Sequence, residues 1–176
     1  MTDLDSPLYQ TQVTSKVRHA QTWATVLLFL AFAGIAAWYA SVIPSGEAVD
    51  ELPHFQYVLH VKETGRLPLQ PQTLVEGVDV WMGHHPPLYY AFGALITLPF
   101  DTSDAEDVFV PNSHFVWREN DGRNGWNVMQ HFGQDVFPWQ GAVLALQALR
   151  IANIMLTIVG LYALLLAGRM MFGPSS

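Results

Sequence analysis

Two uncharged apolar stretches constrain this chain more than any other feature of its sequence. Trp23 to Ile43 is a run of 21 residues without a charge, and Ile151 to Gly168 is a run of 18. As helices these runs would be about 30 and 27 Å long, close to the thickness of a bilayer's hydrocarbon core. The first run is longer than the apolar region of a signal peptide, and no small-residue cleavage site follows it. We therefore predict two membrane-spanning helices, of which the first is a retained signal-anchor.

The composition agrees with an integral membrane protein. Charged residues are 13% of the chain and apolar residues are 51%, whereas soluble domains are about one quarter charged. The net charge of −7 and the lack of a basic cluster beyond Lys16 and Arg18 argue against nucleic-acid binding. Those two basic residues precede the first run, which by the positive-inside rule puts the N-terminus in the cytoplasm of a plasma-membrane protein. The chain contains no cysteine, which excludes disulfides and thiolate metal sites.

The segment after the first run predicts an amphipathic helix. It begins at Glu47 or Asp50 and ends at Thr64, because Gly65 follows and Pro68 prevents the helix from resuming. Leu52, Phe55 and Leu59 share one side, while Tyr57 falls on another side with the polar residues. We expect this helix to lie along the outer membrane interface, with its apolar side against lipid or protein.

A third apolar stretch, 86–100, leaves two topologies open. Extended back to Val80 it is long enough to span, which puts the following loop inside. As a re-entrant segment it leaves that loop outside and returns Arg169 to the cytoplasm, as the positive-inside rule prefers. Re-entrant backbone must be buried in protein, however, and so small a chain offers little, which favours three spans.

The predicted fold is thus an all-α integral membrane protein with three transmembrane helices, or two plus a re-entrant segment, and an interfacial amphipathic helix in the first outer loop. Arg150, at the start of the last span, is expected to snorkel towards water. In chain order we predict a cytoplasmic tail (1–22), a span (23–43), an outer loop (44–85), a short transmembrane or re-entrant helix (86–100), a structured polar loop (101–140), a second long span (141–169) and a tail (170–176).

The outer loop carries the residues best suited to chemistry. In a partly desolvated cleft, Asp50 and Glu51 could supply a general base, although acids also simply favour a helix start. His54, one turn after Asp50, indicates either an oriented imidazole or a polar surface contact. Pro86 restricts the backbone of His85, so that His84 and His85 form a rigid pair suited to an anionic phosphate or a plain interfacial helix start.

A metal site is the weaker interpretation of the same residues. Nitrogen and oxygen ligands of this kind bind zinc, but the candidates are spread over two segments. No cofactor is assigned, and a divalent metal stays open. The candidate ligands are Asp50, His54, Asp79, His84 and His85.

The acidic and histidine motifs together resemble the N-terminal part of the dolichyl-phosphate-mannose–protein mannosyltransferases. More broadly they are similar to bacterial family 39 and GT-C membrane glycosyltransferases. Four residues, Trp81 to His84, interrupt the family's pattern between Asp79-Val80 and His85. The matching stretches are Asp50-Glu51 with His54-Phe55, Gly65-Arg66-Leu67-Pro68, Asp79-Val80, and His85-Pro86-Pro87-Leu88.

This resemblance implies an enzyme that passes a sugar from a polyprenyl-phosphate donor to an acceptor at the outer membrane face. Asp50 would be the general base, and Glu51 would support it or place the acceptor. The donor phosphate and substrate would lie near four further residues. Because such enzymes have many more spans, the chain is expected to be the N-terminal portion of one: a fragment, a truncated gene product or one part of a split enzyme. The four implied binding residues are His54, His84, His85 and Tyr89.

Two other classes remain open. A small non-catalytic subunit could pack in a larger membrane complex through small residues of the first span, Ala31, Ala33, Gly34, Ala36 and Ala37. A membrane metal sensor is the third class, and bound zinc or copper would identify it.

Overall fold

The computed structural model describes residues 7–69, 81–113, 115, 127–131 and 133–173. Asp79 lies outside the described residues. Within them the chain is helical, without a β-strand, and one isolated bridge pairs Pro111 with Met129. The α-helices are α1 (Pro7–Val42), α2 (Glu51–Thr64), α3 (Leu88–Thr97), α4 (Ala105–Val108) and α5 (Gly141–Phe172), with short 3-10 turns at Trp81–His84 and Gly133–Asp135.

The chain divides into two units. The apolar unit consists of Met1–Tyr39 and Leu156–Ser176, and the central unit is Ala40–Met155. The apolar unit contains most of α1 and the C-terminal part of α5. Both helices are long and apolar enough to cross a membrane, and large apolar side chains are exposed along both. This agrees with the two spans that the uncharged runs predict.

Helix α1 begins earlier than the sequence indicates. It starts at Pro7, whereas residues 1–22 are predicted as a tail ahead of the span. Proline is tolerated at the first position of a helix, because its missing N–H would be unpaired there in any case. The described part of the predicted tail is therefore a polar extension of the same helix.

Helix α5 has two parts that differ in burial. Its first ten residues are packed into the central unit, where Ala142, Val143 and Leu146 are buried. From Ile151 onwards most of the large apolar side chains are exposed, and none among the described residues is buried. Burial ends where the uncharged run of the sequence begins.

Helix α2 is the centre of the core. Its C-cap, Gly65, has a left-handed backbone (φ 63) and donates its N–H to the Val61 carbonyl, which confirms the predicted end. Leu52, Phe55 and Leu59 are buried against protein, as their spacing predicts. The prediction that Tyr57 belongs to a polar side is wrong.

Tyr57 is buried because α3 covers that second side of α2. Its ring stacks on that of Tyr90 with centroids 3.6 Å apart. Gly93 permits the close approach, since a Cβ there would lie 2.7 Å from Val58 Cγ2. Helix α2 is therefore packed against protein on two of its sides, while Gln56 and Glu63 are exposed. Its place at the membrane interface stays a prediction.

Helix α3 is ten residues long. At ~1.5 Å per residue it covers roughly 15 Å, about half of a bilayer's hydrocarbon core. A third span is therefore not confirmed among the described residues.

The polar loop after α3 holds the start of α5. Asp104 Oδ1 accepts the Ala142 N–H at 2.8 Å, which pairs one of the free amides of the helix N-terminus. Gly141, immediately before, has φ 53 and lies against the same carboxylate, so a side chain would not fit there. The Lys62 ammonium of α2 donates to the Phe100 carbonyl and the Thr102 hydroxyl, both at 2.7 Å.

Candidate functional site

The turn between α1 and α2, residues 44–51, is fixed by Arg150 of α5. The Arg150 guanidinium donates to the carbonyl oxygens of Ala40, Ile43 and Pro44, at 2.8, 2.8 and 3.1 Å. Its Nε and second terminal nitrogen donate to the two carboxylate oxygens of Glu51, both at 2.6 Å. These bonds use all five guanidinium N–H groups.

Arg150 is therefore a cap for the C-terminus of α1 and not a snorkelling side chain. Its side chain is only 10% exposed, and that of Glu51 is 13% exposed. The snorkelling prediction is wrong because the end of α1 supplies free carbonyl groups within reach, so Arg150 finds protein partners and does not extend to water.

The Glu51 side chain also stabilises this turn through hydrogen bonds. Besides the bidentate pair with Arg150, its Oε2 accepts the Gly46 N–H at 2.9 Å. Both carboxylate oxygens of Glu51 therefore already accept charge-assisted hydrogen bonds. The sequence interpretation of Glu51 as a supporting residue is compatible with this geometry.

Asp50, the neighbouring acid, is in the opposite situation. It precedes α2 with a left-handed backbone (φ 57) and makes no side-chain cap, and its side chain is exposed. Asp and Asn adopt this conformation more readily than other residues that carry a Cβ. The acidic pair thus contains one anchored carboxylate and one that is open to solvent.

The predicted binding histidines meet in one place, which we call the imidazole cluster: His54, His84 and His85. The ring centroids of His54 and His85 are 5.3 Å apart, and those of His84 and His85 are 4.2 Å apart. His54 Nδ1 lies 2.7 Å from the Tyr90 hydroxyl. His85 Nδ1 faces the Met82 carbonyl at 3.2 Å and must donate, since that oxygen can only accept.

The surroundings keep His54 neutral. Burial lowers its pKa most, the neighbouring His85 lowers it further, and Asp50 partly offsets both. Several imidazoles so close together disfavour more than one positive charge. The neutral form of His54 is therefore favoured in the cluster.

Tyr89, the remaining predicted binding residue, borders a cavity of about 190 Å³. Its hydroxyl accepts a hydrogen bond from Asn153 Nδ2 at 2.9 Å. The cavity lies between α2, α3 and α5, with His54 and the Glu51–Arg150 pair on its polar side. Tyr89 and His54 are therefore brought to the same cavity, as expected for residues of one site.

The metal hypothesis gains no support. No group of three or more His, Cys, Asp or Glu side chains among the described residues could hold an ion. Asp79, which that hypothesis includes, is outside them.

A second acid–histidine constellation has no counterpart in the sequence predictions. His131 Nε2 donates to Glu47 Oε1 at 2.8 Å, and His131 Nδ1 donates to Asp135 Oδ2 at 2.7 Å. Glu47 also accepts the Val128 and Met129 N–H groups. Glu47 therefore fastens residues 44–51 a second time, and we call this segment the clamped turn.

Both ring nitrogens of His131 face carboxylate oxygens, so both must carry protons. Burial lowers the pKa of His131, but the hydrogen bonds and charges of Asp135 and Glu47 outweigh it and raise the pKa above the ordinary value. No local sequence pattern indicates this site, because Glu47 and His131 are 84 residues apart.

Comparisons of this chain with family models, with curated proteins and with solved structures found no match. Its function is therefore inferred from its own residues and from the resemblance of its sequence motifs.

Proposed function

We propose that this chain is the N-terminal portion of a membrane glycosyltransferase that moves a sugar from a polyprenyl-phosphate donor to an acceptor at the outer membrane face. The observation that supports this best is that Asp50 and Glu51, the acidic pair, have different environments. Glu51 is locked to Arg150, which fixes the turn, while Asp50 extends from that turn with an exposed carboxylate. A fixed backbone carrying an available base is what general-base catalysis requires.

The proposed reaction balances with these groups. An acceptor hydroxyl attacks C1 of the sugar as the bond between C1 and the phosphate oxygen breaks. The proton of the hydroxyl passes to Asp50, and the polyprenyl phosphate leaves with the bonding electrons. Glu51 and Arg150 are positioning residues, because they act through the backbone of the turn.

The imidazole cluster is suited to the leaving phosphate. The rings of His54 and His85 lie side by side, and imidazole N–H groups are hydrogen-bond donors that suit phosphate oxygens.

For topology, we propose two spans with the central unit on the outer face of the plasma membrane. Helix α3 covers only about half of a bilayer's hydrocarbon core, and beyond its first turn its amides are paired within the helix, so that little re-entrant backbone needs burial in protein. Two spans also put Lys16, Arg18 and Arg169 together in the cytoplasm, as the positive-inside rule prefers.

A single cysteine tests this topology, because the chain has none of its own. Ser113 is exposed and lies in the loop after α3. With Ser113→Cys in intact cells, we expect labelling by a membrane-impermeant thiol reagent. Labelling only after permeabilisation would restore the three-span topology.

The catalytic proposal is tested at Asp50. Native membranes containing this chain are supplied with a polyprenyl phosphate carrying a radiolabelled sugar, and release of polyprenyl phosphate is measured. We expect Asp50→Asn to lower turnover at least ~10²-fold while photo-crosslinking to the donor is retained. Asp107→Asn, at an exposed acid of α4, is the matched control.

Asp50→Gly separates catalysis from folding. Glycine adopts φ 57 without strain, so this variant should fold at least as well as the wild type and still lose turnover. Near-normal turnover of either Asp50 variant would remove Asp50 from the mechanism. Failure of the chain to crosslink to the donor at all would favour the non-catalytic membrane subunit.

A further inference from the structure

Helix α3 has an outer face that is entirely apolar and that none of the described residues covers. Its inner face, with Tyr90, Gly93, Ala94 and Thr97, is buried. On the other side the leucines at positions 88, 95 and 98 are 82%, 67% and 57% exposed, and Ala91 between them is also exposed. No charged residue occurs from Pro86 to Phe100. We call Leu88, Ala91, Leu95 and Leu98 the outer stripe.

The start of α3 lies beside the point where α5 becomes apolar and exposed. The Tyr89 hydroxyl accepts from Asn153, which is within the uncharged run that begins at Ile151. Ile151 and Met155, on either side of Asn153, are exposed. The outer stripe therefore begins next to the surface that a bilayer would cover on α5.

From this continuity we infer that α3 is an in-plane membrane helix whose outer stripe inserts into the boundary between lipid headgroups and acyl chains. Helices that lie in this boundary bury an apolar face by about 5–10 Å. The polar groups flanking α3 fit that depth, since His84 precedes it and Asp101 follows it.

Lipid is favoured over a protein as the partner. The outer stripe carries no polar group that could give a protein interface hydrogen bonds or register. One face of a helix roughly 15 Å long also offers much less area than the ~800 Å² per partner of a stable interface. This inference does not depend on sugar transfer and requires only that α5 crosses the membrane.

Spin labels on single cysteines test the inference in the full chain, reconstituted in vesicles of phosphatidylethanolamine and phosphatidylglycerol. Labels at Leu88 and Leu95 report the stripe. Leu164, exposed on the apolar part of α5, is the lipid control, and Gln56, exposed on α2, is the water control. We expect the stripe labels to collide with oxygen dissolved in the lipid and to be shielded from a water-soluble nickel complex, as at Leu164.

Two results would overturn the inference. Stripe labels as accessible to nickel as the label at Gln56 would leave the stripe in water. Stripe labels shielded from both reagents, with spin–spin broadening that disappears when labelled chains are diluted with unlabelled ones, would mean that a second copy covers it. A water-accessible Leu164 label would instead reject the span in α5.

A charge on the stripe provides an independent measurement. With Leu95→Glu, the label at Leu88 should move towards water, because a carboxylate is costly among acyl chains. Gln56→Glu, which places the same charge on α2, should leave the Leu88 label unchanged. Equal behaviour of the two variants would also contradict membrane insertion of α3.

Discussion

The clamped turn and the imidazole cluster adjoin each other on α2, yet they use ionisable side chains in opposite ways. In the clamped turn, Glu47 and Glu51 bind a histidine and an arginine from distant parts of the chain. In the imidazole cluster, the ring of His54 packs against those of His85 and Tyr90. Oppositely charged partners fix a backbone, whereas in the cluster burial and the neighbouring His85 ring lower the pKa of His54.

The largest expected effect breaks the clamped turn. Glu51→Gln leaves Arg150 buried without its counter-charge, and removing one partner of a buried ion pair costs ~3–5 kcal/mol. We expect this loss in the free energy of unfolding of the full chain in detergent, measured by denaturant titration with tryptophan fluorescence.

The neighbouring acid is the control for that measurement. Asp50→Asn keeps a residue that tolerates the left-handed backbone, so its effect on unfolding should be within ~0.5 kcal/mol. Equal losses for the two variants would show that the acidic pair is not divided as the geometry indicates.

A smaller effect is expected at Glu47, which holds the clamped turn through its hydrogen bond with His131. Glu47→Gln removes one of the two carboxylates from His131, and hydrogen bonds to charged groups contribute ~1.5–3 kcal/mol. Because the pKa of His131 is raised in the folded state, its stabilisation is fully present below the unfolded pKa of about 6.5. The stabilisation is lost as pH rises through the higher folded pKa.

We therefore expect the wild type to lose free energy of unfolding as pH increases from 6 to 8, and Glu47→Gln to lose less over that interval. Unfolding curves at half-unit pH steps would measure both slopes. A wild-type slope that Glu47→Gln does not change would contradict the charged state assigned to His131.

The smallest effect belongs to the imidazole cluster. His54→Gln exchanges one polar contact with Tyr90 for another, which should cost less than ~1 kcal/mol. Because the pKa of His54 is lowered in the folded state, its contribution has the opposite sign: it is complete above about pH 6.5 and is lost as pH falls through the folded value. Wild type should therefore lose more stability between pH 6 and 4.5 than His54→Gln, in the same unfolding assay. Parallel curves would mean that His54 is not held neutral.

Local signals account for the parts of the fold that could be predicted. Uncharged runs identified both long helices, and Gly65 with Pro68 gave the end of α2 to within a residue. Prolines at positions 87 and 99 lie on either side of α3 and indicate a short helix. The apolar composition of the stretch favoured a span instead. Such features act over one or two turns, which a single sequence displays.

The missed features depend on partners far along the chain. In the sequence, Arg150 is a single basic residue before a span. Its role as a cap depends on the end of α1 and on Glu51, which is 99 residues away. The His131 site is separated from Glu47 by 84 residues. Of the candidate site, the cluster of His54 and His85 could be anticipated from the family resemblance. The division between Asp50 and Glu51 could not, because it depends on which carboxylate Arg150 reaches.

The long separation between Glu51 and Arg150 has a consequence for biosynthesis. At roughly 5–20 residues per second, a ribosome needs about 5–20 s to add the 99 residues between them. During that time the first span is finished while the turn that follows it lacks its counter-ion. A chain that stalls before residue 150 therefore has a Glu51 carboxylate without its counter-ion and a C-terminus of α1 without its cap.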